Sequence, residues 1–270
     1  MDHDPALAPS PSLVEPLVAP CAALVEKGDP DRFRALMVAP LAARLRLFPL
    51  FAFNLEVARA PWASREPMIA EMRLQFWRDV VDEAGQGRAR AHEVAAPLAH
   101  LIRDHALPLD VLDRLVAARQ WDIYRDPFAD QAALDAYLED TGAGLMWAAC
   151  KALGAPDAAE GAVRAAGWAA GLAGFLRAFP ELEARGRVPL VDGRPEAVAA
   201  LARRGLAAWA RAHAGRPPAV CAPALRTAWQ TPAILRTAMR DPARVAGDAL
   251  APSEFARRWG LLWRAASGGW

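Results

Sequence analysis

The sequence predicts an all-α fold in a single domain over residues 1–270. Three observations carry that expectation. Apolar residues recur at three- and four-residue steps through most of the chain, the period of a helix buried along one side. Alternating strand patterns are nearly absent, and the one candidate, "GRVPLV", is too short to count. Proline and glycine punctuate the periodic runs without forming a long break. The proline-containing segments 215–223 and 241–252 therefore read as connections within one fold.

The elements follow in order. Asp29-Pro30 and Asp31 make a helix start, with proline early and an acid in the first turn. From Leu41 to Ala60 the helical period is sustained; Pro49 is expected to kink that helix and Pro61 to close it. Ser64 is expected to cap the next helix, with Glu66 and Pro67 in its first turn. That helix, "REPMIAEMRLQFWRDVVDEAGQG", puts Ile69, Met72, Phe76 and Val80 on one stripe and ends at Gly85 and Gly87. Further helices are expected at 94–106, 109–125, 131–153, 157–178, 196–214, 223–239 and 252–266. No internal repeat has a fixed period. Residues 1–10 are expected to be disordered.

Composition narrows the function classes. Apolar residues make up 54% and charged residues 23%, enough for a substantial core and incompatible with global disorder. A formal net charge of +1 argues against a broad nucleic-acid surface, and no nucleic-acid partner is expected. Cys21, Cys150 and Cys221 lie far apart, form no metal-spaced pair and fit a reducing compartment. The start, "MDHDPALAPSPSL", is acidic, unlike a secretory signal or an arginine-rich transit peptide. The apolar run "LRLFPLFAF" is too short to span a bilayer. A cytoplasmic protein is expected, with peripheral contact at the inner membrane as an added role. Trp259, Trp263 and Trp270 are the residues for such a contact, with core packing as the alternative.

Motifs of familiar chemistry are missing. There is no glycine-rich phosphate loop, no H-E-x-x-H and no nucleophile elbow. His3, His92, His100, His105 and His213 are scattered and have no partner motif. The acid pairs Asp79/Glu83 and Asp135/Glu139 have helical spacing but read as solvated faces. No catalytic residue and no metal ligand is assigned.

Four segments in order resemble the squalene/phytoene synthase family. They are "LFPLFAFNLEVARAPW", "MRLQFWRDVVDE", "LDAYLEDTGAGLMWAACKALG" and "LRAFPELEARGRVPL", spanning about residues 40 to 191. The resemblance implies an isoprenoid-synthase-like helical bundle around a central cavity. Working members condense two prenyl diphosphates with Mg²⁺ held by two D-x-x-x-D motifs, since aspartates four apart on a helix point the same way. Opposite the first motif this chain reads Ala58, Arg59 and Trp62; opposite the second it reads Ala178 and Leu182. A like charge at ~4 Å costs on the order of 4 kcal/mol per charge product at an effective dielectric of about 20, so Arg59 opposes a divalent cluster. Glu56 and Glu181 remain nearby. The segments "AFNLEVARA", "MRLQFWRDVV" and "YLEDTGAGL" further resemble the branch containing the mitochondrial complex I assembly factor and its bacterial relatives, where "M-R-x-Q-F-W" is a signature.

The resemblance implies a catalytically degenerate protein that assists assembly of respiratory complex I, with a complex I subunit or assembly intermediate as partner and no cofactor. Lack of a transit peptide fits a bacterial relative. Two alternatives stand beside it: an Mg²⁺-dependent prenyl synthase with atypical ligands, and a non-catalytic protein holding an apolar or prenyl ligand. Candidate pocket residues are Asn54, Glu56, Arg73, Gln75, Trp77, Tyr137, Arg177, Glu181, Arg185 and Arg187. For Asn54 and Glu56 a buried hydrogen-bonded set with Arg73 is the structural alternative. Phe76 is expected in the core with Trp77 packed across it, and Arg78 is expected to bridge to Asp82. Arg177, Arg185 and Arg187 read either as phosphate or acidic-partner contacts or as a self-neutralised cluster with Glu181 and Glu183. Thr141, Gly142 and Gly144 read as a turn that lets helices approach.

Overall fold

A computed structural model describes residues 11–64 and 66–270. The expectation of disorder for residues 1–10 lies outside the described residues. The helices are α1 (Pro11–Gly28), α2 (Pro30–Met37), α3 (Leu41–Arg59), α4 (Pro67–Gly85), α5 (Ala95–His105), α6 (Leu109–Ala118) and α7 (Gln131–Leu138). After them come α8 (Gly144–Ala152), α9 (Glu160–Ala184), α10 (Pro195–Ala214), α11 (Ala222–Leu225), α12 (Thr231–Arg240), α13 (Ala243–Ala246) and α14 (Glu254–Ser267). A π-helical turn, Glu139–Ala143, joins α7 to α8. Among the described residues there is no strand, as the sequence leads one to expect.

The long helix α9 is the axis of the bundle. It packs against α10, α8, α12 and the π turn, while α3 lies against α1, α5 and α8. Phe51, Phe53, Leu172 and Leu176 are among the largest fully buried side chains. Each such apolar side chain removed from water contributes about 1.5–3 kcal/mol. No helix of the described residues is long and apolar enough to cross a membrane.

Several local expectations change. Helix α1 is absent from the sequence reading because Pro16 and Pro20 stand inside it. Val18, Cys21 and Val25 nevertheless bury one helical face against the core. Pro49 also lies inside α3, and α9 runs through Pro180 to Ala184, past the expected end at 178. The stretch 223–239 is two helices, α11 and α12, separated by a 3-10 turn. Ile69 and Met72 do not form a buried stripe: they are exposed, and α4 buries Leu74, Trp77, Val80 and Val81. Ser64 is not the cap of α4. Its hydroxyl accepts from the Glu66 amide, and the cap position is Glu66, without a side-chain bond.

At the π turn two elements approach closely. A Cβ built on Gly142 would lie 2.8 Å from the Gly167 carbonyl oxygen and 2.9 Å from the Gly171 Cα. The expected packing role of Gly142 is therefore met by two glycines of α9. Thr141 turns its hydroxyl back to donate to the Tyr137 carbonyl at 2.6 Å, which helps satisfy the widened turn.

Gly167→Ala would bring a Cβ to 2.6 Å from Met146 Cβ and 2.7 Å from Ala143 Cα. Overpacking of about 1–3 kcal/mol outweighs the helix-propensity gain of up to about 1 kcal/mol, so the melting temperature falls by a few degrees. Gly174→Ala, with nothing within 4 Å of its new Cβ, leaves melting unchanged or raises it. Thermal unfolding of the two variants checks the contrast.

Candidate functional site

The central cavity, about 270 Å³, opens between α3, α9 and the α7–π–α8 segment. Of the expected pocket residues it collects Asn54 and Tyr137; Ala178 also lines it. The others are distributed elsewhere. Glu56, Arg73 and Trp77 line a separate recess of about 360 Å³ with Arg59, Phe76 and His92. Gln75 lies at a surface recess with Met68, Met72 and Arg78. Arg177 lies with Asp31 over a recess that adjoins the central cavity, the two sharing Arg32, Met146, Ala170, Gly174 and Thr227.

The anticipated set of Asn54, Glu56 and Arg73 does not form. Asn54 is buried and its Oδ1 faces no donor. Glu56 pairs with Arg59 at 3.9 Å one turn on, and Arg73 is exposed. Trp77 does pack across Phe76, with centroids 5.1 Å apart, and meets Phe53 edge-on at 5.5 Å. Arg78 reaches Asp113 of α6 at 2.7 Å instead of Asp82. His92 serves locally, accepting from the Val94 amide at the start of α5. The helically spaced acids each meet an arginine: Glu83 and Asp79 share Arg90, Asp135 takes Arg204, and Glu139 takes Arg164.

The arginine cluster of the fourth motif is split. Gly186, at φ +77°, ends α9 in a left-handed turn. The Gly186 amide donates to Glu183 and the Arg187 amide to Leu182, the paired bonds of a Schellman close. That turn sends Arg185 and Arg187 different ways. Arg185 pairs with Glu181 and lies over the Trp62 ring at 4.4 Å. Arg187 is buried, stacks on Trp121 at 4.0 Å and donates to its carbonyl. Burial holds its guanidinium below the usual arginine range. Arg177 instead approaches Asp31 of α2 at 3.8 Å.

One wall of the cavity was not legible as a site. After α6, a 3-10 turn carries Arg119, Trp121 and Asp122. Arg119 donates to the Tyr137 hydroxyl at 2.7 Å, and that hydroxyl donates to Asp122 Oδ2 at 3.0 Å. Arg119 also contacts Asp122 at 3.3 Å, closing the triad. Trp121 stacks on Phe128 at 4.1 Å, with Tyr137 and Phe175 edge-on to Phe128. The only sequence signal was the density of charge and aromatic residues in "RQWDIY", inside what reads as a plain helix end. Arg32 of α2 completes the rim, 4.7 Å over the Phe51 ring. Among the described residues, no three His, Cys, Asp or Glu side chains group as metal ligands.

Burial pushes the Tyr137 hydroxyl well above its ordinary range. Folding then holds a proton that an unfolded tyrosine releases near pH ~10. This contribution to stability is complete below that pH and is lost as pH rises above it. Tyr137→Phe costs about 1 kcal/mol at neutral pH and flattens the alkaline loss. Asp122→Ala strands the Arg119 guanidinium and costs about 3 kcal/mol. Denaturant titrations between neutral and alkaline pH measure both.

Comparison with known proteins agrees with this architecture. The squalene/phytoene synthase family model matches residues 25–192. In Drosophila melanogaster, a complex I assembly factor 6 homolog is 33% identical over 181 residues, covering 63% of this chain and 53% of that protein. The Bos taurus assembly factor 6 is 30% identical over 169 residues, covering 62% and 51%. The chain thus spans about half the length of the curated relatives it matches. Among solved structures, a dehydrosqualene synthase superposes with a TM-score of 0.78 at 13% identity, covering 96% of this chain and 98% of that one. Squalene synthase HpnC from Alicyclobacillus acidocaldarius gives 0.74 at 16% identity, with 87% and 97% covered. The structural likeness carries the fold and the family model covers more than half of the sequence: the chain belongs to the squalene/phytoene synthase family.

Proposed function

We propose that this chain is a catalytically degenerate member of its family and acts as an assembly or chaperone-like factor for respiratory complex I. One observation carries the loss of catalysis. The positions opposite the family's acid motifs hold Ala58, Arg59, Trp62, Ala178 and Leu182; of the acids beside them, Glu56 and Glu181 each pair with an arginine, and Glu183 is exposed. Magnesium needs several oxygen ligands in near-octahedral order. This donor set does not fit it, and no step of prenyl transfer follows from these residues.

The assembly role rests on the relatives named complex I assembly factor 6. The disposition of the "MRLQFW" stretch supports it. Met72, Arg73 and Gln75 are exposed, and only Leu74 and Trp77 of that stretch are buried. Met68 is 71% and Met72 67% exposed, beside Tyr124 of a neighbouring connection, which bonds Glu71. Methionine-bearing surfaces adapt to protein partners.

Incubation with farnesyl diphosphate and Mg²⁺ is expected to give no condensed product. Product whose rate drops with Glu56→Gln or Glu181→Gln would return the chain to the enzymes. Loss of the gene is expected to lower assembled NADH:quinone oxidoreductase. Met68→Glu with Met72→Glu should melt like the parent chain yet fail to restore the complex. Normal complex levels in the deletion strain would refute the assembly role.

A further inference from the structure

Helix α14 turns its apolar side away from the body. Its inner side seats Leu261 against Ala35 and Trp229, with Arg257 directed to Asp31 of α2 at 3.4 Å. At about 100° per residue, Leu262, Phe255, Ala266, Trp259 and Trp263 fall in one sector roughly 100° wide on the opposite side. No charged residue shares that sector. Phe255 is 76%, Trp259 61%, Leu262 58% and Trp263 66% exposed. The Phe255 and Trp259 rings lie parallel at 6.4 Å, presenting one flat face. A helix that only covered the core would show the reverse pattern.

The surroundings choose the occupant. Residues 226–270 contain seven arginines against three acids, in a chain whose net charge is only +1. Arg258 borders the apolar sector with its side chain 70% exposed and paired with Glu254 at 2.9 Å. Arg236, Arg240 and Arg244 are exposed and make no ion pair among the described residues. Tryptophan, phenylalanine and leucine on one face with arginine at its border is the composition of a helix lying in a membrane interface, and anionic headgroups satisfy the excess positive charge. At 14 residues the helix is about 21 Å long, which lets it lie on a bilayer without spanning it.

We propose that α14 is an interfacial anchor that lays Phe255, Trp259, Leu262 and Trp263 into an anionic phospholipid surface. The anchor is independent of the assembly role and stands if that role fails.

The test uses the full chain with phosphatidylcholine vesicles, with and without phosphatidylglycerol. The parent chain is expected to co-sediment with the anionic vesicles, and added salt weakens the binding. Trp259→Ser with Trp263→Ser lowers partition tenfold or more, roughly as expected from the lost apolar area. Arg258→Ala lowers it about fivefold. Phe255→Ser with Leu262→Ser is the second pair; all these side chains are exposed, so melting should match the parent. Failure of the parent chain to bind anionic vesicles overturns the proposal. So does equal binding by both substituted pairs. Sedimentation velocity supplies the rival outcome: a dimer abolished by the tryptophan changes, without vesicle binding, would make α14 an interface between copies.

Discussion

Everything in this bundle depends on how closely α9 can approach the π turn. Gly142 on one side and Gly167 and Gly171 on the other leave no room for a Cβ between the backbones. That contact fixes the separation of α9 from the α7–π–α8 segment, and this separation is the width of the central cavity. Thr141 holds the turn through the Tyr137 carbonyl, while Arg119 and Asp122 hold the Tyr137 hydroxyl at the cavity wall.

Within that frame the charged contacts are made largely by arginine. Trp62 carries Arg185 on its ring, and Arg59 takes the neighbouring Glu56. Arg119 sits in a closed triad with Asp122 and Tyr137, and Arg187 lies flat on Trp121. Planar guanidinium groups suit this role: they stack on aromatic faces and are less strongly hydrated than an ammonium. The buried cations are held by rings, carbonyls and single carboxylates of the chain itself.

How far the sequence revealed this depends on the distance over which each feature acts. Helices set by their own periodicity, such as α3 and α10, were legible almost to their ends. So was the packing role of Gly142, since small residues beside a helical run have few other uses. Helix α1 was hidden because Pro16 and Pro20 argue locally against it, while burial of Val18, Cys21 and Val25 decides otherwise. The α4 stripe failed because Ile69 and Met72 are apolar yet face outward, a choice made by which neighbours surround the helix. Asn54 and Tyr137 were found for the cavity, but their partners were not. Arg119 and Asp122 meet Tyr137 across a connection of more than a dozen residues, and nothing in local spacing announces that meeting.

The contact of Arg185 with Trp62 joins the ends of the two segments where the family's motifs would lie, and it is made entirely by covalently fixed side chains. Its strength therefore does not follow the supply of any dissolved ion or substrate. A site closed by a bound species borrows stability through mass action and loosens when that species is scarce. The Arg185–Trp62 contact is instead made by the chain alone.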